Sequence, residues 1–257
     1  MRHLKQLIYG FLFLTFFSGI FGGGYYLFLR PEPSCFDGRQ NQDERGLDCG
    51  GRCLKVCVPE TAVLRVRGAV DILPLATASG TVRVSLLGEV ENPEREFAAK
   101  NFLYTFDLFD AEGRTLASFS DTAYMYASEI RYLVLPNRVV PGGVLPHSGR
   151  LTISGIEWTP EARMPRPKIA VNVQSAADEG ATFVARGIIT NQDSLPFRHV
   201  ELLGLFYSTE GELLGVSEAE LETLAPSDQR DFAIFHPPLE SLDPTRTRVF
   251  ATAYNFR

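Results

Sequence analysis

The sequence predicts a mainly β protein with an N-terminal transmembrane helix, a cysteine-rich neck and two tandem β-sandwich domains. Three observations predict this fold class: an uncharged apolar run near the N-terminus, four cysteines confined to one short stretch, and a duplication in the rest of the chain. The 257 residues suffice for two domains with cores of their own. The 16 prolines, 22 glycines and 19 phenylalanines favour strands and turns over a helical bundle.

The apolar run covers residues 7–29, which are 23 residues without a charge. As a helix it would reach about 34 Å, enough to cross a hydrocarbon core of about 30 Å. We therefore predict a transmembrane helix over 7–29, with the lipid bilayer as its partner, after a short cytoplasmic tail over 1–6. A cleaved signal peptide is the alternative, but its apolar stretch is usually about 7–15 residues long and ends at small residues. This run is longer and is followed by Arg-Pro-Glu-Pro-Ser.

The predicted neck, residues 30–59, holds all four cysteines: Cys35, Cys49, Cys53 and Cys57. An even number of cysteines in a short, loop-rich stretch beside a membrane span predicts two disulfides in an oxidising compartment. Three pairings are possible. A tetrathiolate zinc site is the alternative, but such sites usually use two C-x₂-C pairs, whereas the intervals here are thirteen, three and three residues.

The neck also carries side chains with oxygen atoms that suit Ca²⁺. They are Asp37, Asn41, Asp43, Glu44 and Asp48. Their spacing differs from that of an EF-hand loop, and solvated acidic loops are commoner than calcium sites. The sequence therefore predicts no metal and no cofactor.

Residues 35–53 resemble a short cysteine motif of many bacterial cell-surface proteins, C-x-D-G-x-x-N-x-x-E-x-G-x-D-C-G-G-x-C. The matching positions are Cys35, Asp37, Gly38, Asn41, Glu44, Gly46, Asp48, Cys49, Gly50, Gly51 and Cys53. The resemblance implies an extracellular setting and no particular activity. Lys and Arg residues are nearly balanced across the span, so the cysteines decide the predicted topology. We expect a single-pass protein of the cell membrane with its C-terminal body outside the cytoplasm.

The rest of the chain contains a duplication. Residues 88–92 match 187–191, and the apolar runs at 102–113 and 200–211 match each other, at a separation of about 99 residues. A repeat this long indicates a tandem pair of domains, because solenoid repeats are about 20–50 residues long. We place domain 1 over 60–160 and domain 2 over 161–257.

Each copy is predicted to be antiparallel β. Alternating runs end at Asp-Ala-Glu-Gly (110–113) and Ser-Thr-Glu-Gly (208–211), which are typical of hairpin turns. Several short strands in about 95 residues favour a sandwich of the immunoglobulin or fibronectin type. The prolines of 159–167 indicate a stiff, extended linker between the copies, and a short helix over 217–224 is also possible.

The run FDLFD at 106–110, followed by Gly113, resembles the F-x-L-[YF]-D signature of FxLYD domains, small β-sandwich domains of prokaryotic surface proteins. The second copy reads GLFYS at 204–208 and lacks the Phe and the Asp, so its resemblance depends on the repeat. The resemblance implies an Ig-like fold and an extracytoplasmic module, and it carries no catalytic residues.

The sequence offers no catalytic motif, and we predict that the protein is not an enzyme. Its histidines, at positions 3, 147, 199 and 236, form no close-spaced ligand pair. The net charge of −6 is scattered, with no basic stripe, which argues against nucleic acid as a partner. The alternating aromatic residues Phe102, Tyr104 and Phe106 share one sheet face and are predicted to form core rather than a carbohydrate- or peptide-binding platform.

Together these features predict a membrane-anchored, noncatalytic surface protein that presents two Ig-like domains to a protein or envelope partner. The alternative is a structural subunit of an envelope assembly, such as a secretion or pilus-like apparatus. A third reading, from a different class, is a glycan-binding or hydrolytic envelope protein.

Overall fold

The computed structural model describes residues 2–26, 34–75 and 81–254. The chain forms two compact units, Met1–Cys57 and Val58–Arg257. The first contains an apolar helix and a disulfide-linked neck. The described residues of the second form strands, turns and three short 3-10 helices, Pro141–Gly143, Glu161–Arg163 and Pro244–Arg246. The predicted mainly β fold class is confirmed.

The helix of the first unit, α1, extends over Arg2–Gly24. It begins five residues before the predicted span, and residues 27–29 of that span lie outside the described residues. Leu4–Gly24 is long enough and apolar enough to cross a membrane, a test that a signal sequence also passes. The hydroxyl of Thr15 donates to the carbonyl of Phe11 at 2.9 Å, so this polar group is satisfied within the helix.

Two disulfides hold the neck, as predicted: Cys35–Cys53 and Cys49–Cys57. The structure thereby selects one of the three possible pairings. With all four sulfur atoms in disulfides, no thiolate remains to bind zinc.

The second unit contains twelve antiparallel strands in its described residues. They are β1 (Arg65–Leu75), β2 (Arg83–Glu91), β3 (Phe97–Phe109), β4 (Thr115–Met125), β5 (Ile130–Val139), β6 (Ser148–Pro160), β7 (Ile169–Asp178), β8 (Phe183–Asn191), β9 (Val200–Tyr207), β10 (Leu213–Leu221), β11 (Gln229–His236) and β12 (Arg248–Ala253).

These strands form four three-stranded sheets, and the duplication is visible in their order. The first sandwich pairs sheet β1-β2-β5 with sheet β4-β3-β6. The second sandwich pairs sheet β7-β8-β11 with sheet β10-β9-β12, which is the same order with each strand number raised by six. The internal repeat in the sequence is therefore a repeat of strand topology.

Each sandwich has its own apolar core. In the first, Phe102, Tyr104 and Phe106 are at most 5% exposed, which confirms the prediction that these aromatic side chains form core. The second core is built around Phe183 and Phe206, whose rings meet edge to face at 5.3 Å.

A third apolar cluster lies between the two sandwiches. It joins Leu73, Leu87 and Val134 of sheet β1-β2-β5 to Leu205 and Val216 of sheet β10-β9-β12. Alternation along a strand explains how one sheet serves two cores, because successive side chains point to opposite faces. The four sheets are therefore stacked in four layers, and both faces of the two middle sheets are packed.

Two sequence-based expectations are corrected. Residues 217–224 do not form a helix, because Ser217–Leu221 belong to β10 and pair with β9, with Val216 buried in the third cluster. The segment after β6 is not an extended spacer either. It forms a 3-10 turn at Glu161–Arg163, and Met164 is buried against Ala98 and Tyr126 of the first sandwich. In both places tertiary packing overrides a local sequence preference.

Candidate interaction site between the two sandwiches

The site lies at the contact between the two sandwiches and begins with Tyr126, which follows β4. The side-chain amide of Asn92 donates to the carbonyls of Phe97 and Tyr126, both at 2.9 Å, and so holds the backbone of this tyrosine. The Tyr126 hydroxyl in turn donates to the carbonyl of Ala253 at the end of β12. A buried hydrogen bond thus joins the sandwiches at this end.

Glu129, just before β5, is a buried carboxylate beside this tyrosine. It accepts a hydrogen bond from the Tyr126 backbone N–H at 2.6 Å. Burial raises the pKa of Glu129, and the Tyr126 hydrogen bond and the charges of Arg131 and Arg166 oppose that rise. The carboxylate therefore anchors the β4–β5 turn within a largely dry environment.

Arg131 of β5 connects the sandwiches through its guanidinium group. One nitrogen donates to the Tyr124 carbonyl at 2.8 Å, and another donates to the Glu201 carboxylate of β9 at 2.9 Å. The same guanidinium lies 4.4 Å from the centre of the Tyr124 ring, within cation–π distance. The Arg131 side chain is 15% exposed and that of Glu201 is 43% exposed, so only one member of this ion pair is well shielded from water.

A cleft of about 370 Å³ opens beside this ion pair. The charged groups that line it are Asp121, Glu201, Glu218, Glu220, Arg131 and Arg138. Four carboxylates against two guanidinium groups give the cleft an acidic balance, which suits a cationic or hydrogen-bond-donating group.

Glu218 of β10, a carboxylate of this cleft, has a strongly raised pKa. Burial raises its pKa to about 7, the neighbouring carboxylates of Glu201 and Glu220 add to the rise, and Arg131 and Arg138 oppose it. Glu220 lies directly opposite Glu201 in the β10–β9 ladder, which places two like charges side by side. The cleft can therefore take up a proton near neutral pH.

The predicted disulfide candidates lie in the neck, where the carboxylates have structural partners. Both oxygens of Asp48 lie 3.1 Å from the backbone N–H of Gly38, and Glu44 accepts from the backbone N–H of Asn41 at 3.0 Å. Asp37 accepts from the Asn41 amide at 2.8 Å and from the Arg39 N–H at 2.9 Å. The acidic residues of the cysteine motif thus shape its loops.

Three side chains in the neck are of types that commonly bind metal ions, but two of them are not in the state that binds a metal. Cys35, Glu44 and Cys53 place a ligand atom each within 4.8 Å of the others. The two sulfurs are bonded to each other, so the thiolates that a zinc ion needs are missing from this group.

Close packing explains two of the glycines of the same motif, Gly46 and Gly51. A Cβ at Gly51 would lie 2.1 Å from the carbonyl oxygen of Asp43, and one at Gly46 would lie 2.9 Å from the sulfur of Cys49. No other residue type fits these positions without moving the chain.

The histidines of the second unit lie in separate places. His147 is exposed in the loop between β5 and β6, and the Nε2 atom of His199 is 3.7 Å from Glu201 at the edge of the contact region. His236 is buried at the end of β11, where its ring packs against Phe206. The structure does not bring these three side chains together.

Sequence analysis did not identify Glu129, Arg131 or Glu201 as site residues. The available signal was a charged residue placed inside an apolar strand, as in SEIRYLVLP (128–136) and VELLGLFY (200–207). Such a charge usually lies on a solvated face, and only the position of the other sandwich turns it into an interdomain contact.

Comparison with known proteins identifies no family. No protein-family model matches the sequence, and no curated protein matches it. Among solved structures, red sea bream transglutaminase is 15% identical with a TM-score of 0.24, over 75% of this chain and 32% of that chain. The N-terminal CBM22-1-CBM22-2 tandem domain from Paenibacillus barcinonensis Xyn10C is 7% identical with a TM-score of 0.12, over 77% and 88%. The chain spans about a third of the transglutaminase, and TM-scores this low carry no argument about function.

Proposed function

We propose that this chain is a membrane-anchored, noncatalytic surface protein whose two sandwiches form one rigid body that presents its surfaces to a protein or envelope partner. The observation that carries the proposal is the third apolar cluster. Leu205 and Val216 are at most 4% exposed because the other sandwich covers them, so the sandwiches form a fixed unit rather than two tethered modules. A fixed unit holds the interdomain cleft in one shape, as a binding surface requires.

The anchor and the topology belong to the same proposal. The apolar helix α1 supplies the membrane span, and the neck disulfides suit an oxidising, extracytoplasmic compartment. The lipid bilayer is then the partner of 7–29, and the body lies outside the cytoplasm. The Ig-like and FxLYD-like character of the sandwiches, which the sequence resemblance implies, is part of this proposal.

Topology is tested on the full chain in intact cells. Phe235, which is 58% exposed in the second sandwich, and Lys5, before the apolar run, are changed singly to cysteine. A membrane-impermeant maleimide should label Phe235→Cys in intact cells, and Lys5→Cys only after permeabilisation. Labelling of Lys5→Cys in intact cells and of Phe235→Cys only after permeabilisation would show the opposite topology. Release of the unlabelled chain from the membrane by alkaline carbonate would show that α1 does not anchor it.

The binding role is tested by placing a photocrosslinking amino acid at Asp121 in the cleft, with Asn172 on the exposed edge of β7 as the matched control. A specific adduct from Asp121 and none from Asn172 is expected for a surface protein with one binding face. Adducts to several membrane proteins that co-purify in fixed ratio would instead favour the structural subunit of an envelope assembly. No adduct from either position would count against a binding role for the cleft.

A further inference from the structure

The neck exposes two large apolar side chains next to one of its disulfides. Phe36 is 90% exposed and Leu54 is 83% exposed, more than any large apolar side chain described in α1. Each directly follows a cysteine of the Cys35–Cys53 disulfide, whose Cα atoms are 5.6 Å apart. One step of about 3.8 Å from each cysteine places the Cα atoms of Phe36 and Leu54 within about 13 Å of each other. These two exposed side chains on the same disulfide-linked part of the neck are called the apolar patch.

The neck cannot withdraw this patch into a core of its own. Its loops are held by the two disulfides and by hydrogen bonds such as that from Gly38 N–H to Asp48. A segment of this size has too little volume to cover two large side chains. The exposure of Phe36 and Leu54 is thus built into the fold of the neck.

The described charges around the patch are balanced, with four acidic and four basic side chains between residues 34 and 57. Asp37, Glu44 and Asp48 accept backbone hydrogen bonds within the neck, and Asp43 pairs with Arg52 at 2.9 Å. Among the described residues of the neck, the cations Arg39, Arg45 and Lys55 are also exposed. Exposed aromatic and aliphatic groups beside Lys and Arg are the composition of segments that bind at the lipid headgroup region.

Chain continuity brings the patch within reach of the bilayer. Residues 27–33 separate the described end of the helical segment, Tyr26, from Ser34, so the neck starts no more than about 28 Å along the chain from that point. If the helix spans the membrane, the neck therefore starts within about 28 Å of its end and can reach the membrane surface. The bilayer is a large apolar partner that the chain itself places near the neck.

We propose that the neck docks on the membrane, with Phe36 and Leu54 inserted at the headgroup boundary of the bilayer that α1 crosses. This inference rests on the proposed anchor. Docking would hold the neck flat on the surface and fix where the following chain leaves the membrane, which a free spacer would not do.

Tryptophan quenching by brominated lipid tests this docking on the full chain in nanodiscs that contain anionic lipid. Trp158 is the only tryptophan, so Trp158→Phe gives a silent background, checked by its thermal unfolding against the wild type. Single tryptophans then replace Phe36 and Leu54 in the neck, Phe16 in α1 as the anchor reporter, and Phe235 in the second sandwich as the control. We expect brominated lipid to quench the first three by at least twofold and the Phe235→Trp signal by less than a tenth.

The reporters separate the two ways of failing. Quenching of Phe16→Trp without quenching of Phe36→Trp and Leu54→Trp would overturn the docked neck and leave the anchor standing. Absence of quenching at all three positions would overturn the anchor, and the docked neck with it. Quenching of Phe235→Trp to the same extent as the neck reporters would show nonspecific adsorption and would also overturn the proposal.

Discussion

Asn92 and Asn191 perform the same task at the same place in the two sandwiches. Both are fully buried, and each amide nitrogen donates to two backbone carbonyls while the amide oxygen accepts a backbone N–H two residues on. The carbonyl partners are those of Phe97 and Tyr126 in the first sandwich and of Leu195 and Leu224 in the second. One side chain thus ties two backbone carbonyls and one backbone N–H together, although the Leu224 carbonyl also accepts the Phe197 N–H.

The Asn191→Ala variant should lose about 2–3 kcal/mol of the free energy of unfolding, because three hydrogen bonds made by a fully buried side chain are lost at once. Asn172→Ala, on the exposed edge of β7, is the matched control and should change it by less than about 0.5 kcal/mol. Denaturant titration measures both. Equal losses in the two variants would contradict the role assigned to Asn191.

The turn residues show how the signature can change between copies without loss of structure. Asp110 accepts the backbone N–H groups of Glu112 and Arg114 at 3.0 and 2.8 Å. Ser208 takes the equivalent position, and its hydroxyl oxygen accepts two N–H groups at 3.2 and 3.1 Å. Serine can replace aspartate here because the turn needs one short side-chain oxygen and no charge.

At the scale of elements, the neck depends on covalent closure rather than on burial. Its disulfides close loops of unequal length, with sequence separations of 18 for Cys35–Cys53 and 8 for Cys49–Cys57. In the chain-entropy description the longer loop contributes more, roughly 3 against 2.5 kcal/mol. The Cys35–Cys53 bond also lies beside the Glu44 carboxylate, which accepts the Asn41 N–H.

Replacing Cys35 and Cys53 together by serine should therefore open the neck more than replacing Cys49 and Cys57 together. Limited proteolysis within residues 34–57 measures this opening. We expect the fastest cleavage in the variant that lacks Cys35 and Cys53, slower cleavage in the variant that lacks Cys49 and Cys57, and the slowest cleavage in the wild type. The thermal unfolding of the strand-rich unit is the internal control, since it contains no cysteine. Faster cleavage of the variant that lacks Cys49 and Cys57 would show that the shorter loop contributes more to holding the neck closed.

The strands of the two middle sheets explain why alternation in the sequence is imperfect. In β2, Leu86 faces the first core while Leu87 faces the second sandwich, and both are at most 2% exposed. A strand buried on both faces reads as a nearly continuous apolar run, whereas a half-buried strand alternates. The nearly continuous apolar run at 84–90 therefore indicates that this strand is buried on both faces, one in the first core and the other against the second sandwich.

At the scale of the whole strand-rich unit, the third apolar cluster couples the two sandwiches. Wild-type protein should unfold this unit in one cooperative transition, because separating the sandwiches exposes Leu205 and its neighbours to water. Leu205→Asp should place a charge in that cluster, lower the stability by about 3 kcal/mol or more and divide the calorimetric transition into two. Leu103→Asp, at a position 42% exposed on β3, is the control and should keep a single transition. Two transitions in the wild type would contradict the coupling.

The cleft adds a pH dependence to this unit. Because the pKa of Glu218 is raised to about 7 in the folded protein, the folded state binds its proton more tightly than the unfolded state does. Its stabilising contribution is complete below about pH 4.5 and is lost as the pH rises through 7. Glu218 also contacts solvent in the cleft, and water screens the effect to about 1 kcal/mol.

Glu218→Gln should therefore be more stable than the wild type by about 1 kcal/mol at pH 8 and equal to it near pH 4.5. Denaturant titration at the two pH values measures the difference, with Glu222→Gln, an exposed position outside the cleft lining, as the control. A gain at pH 8 that persists at pH 4.5 would mean that the charge of Glu218 is not its cause.

By itself the sequence determined the features that depend on neighbouring residues. The apolar run predicted the helix α1 because length and hydrophobicity are read directly from the sequence, and the clustered cysteines predicted two disulfides because closure of a small neck needs crosslinks. The repeat and its turn residues predicted two β-sandwiches, since turn geometry and alternation are local properties. Local preference failed at 217–224, where charged residues favour a helix but pairing with β9 makes a strand.

Only the tertiary structure decided which parts meet. The pairing of Cys35 with Cys53, the stacking of sheet β1-β2-β5 on sheet β10-β9-β12, and the bond between Arg131 and Glu201 join residues that are up to 143 positions apart. The energies of these contacts come from burial and from charges brought together in three dimensions. The pattern of one strand shows which of its faces is apolar, but it does not specify which other sheet will pack against that face. The cleft, and with it the proposed binding role, exists because two separately predictable sandwiches bury a face of each against the other.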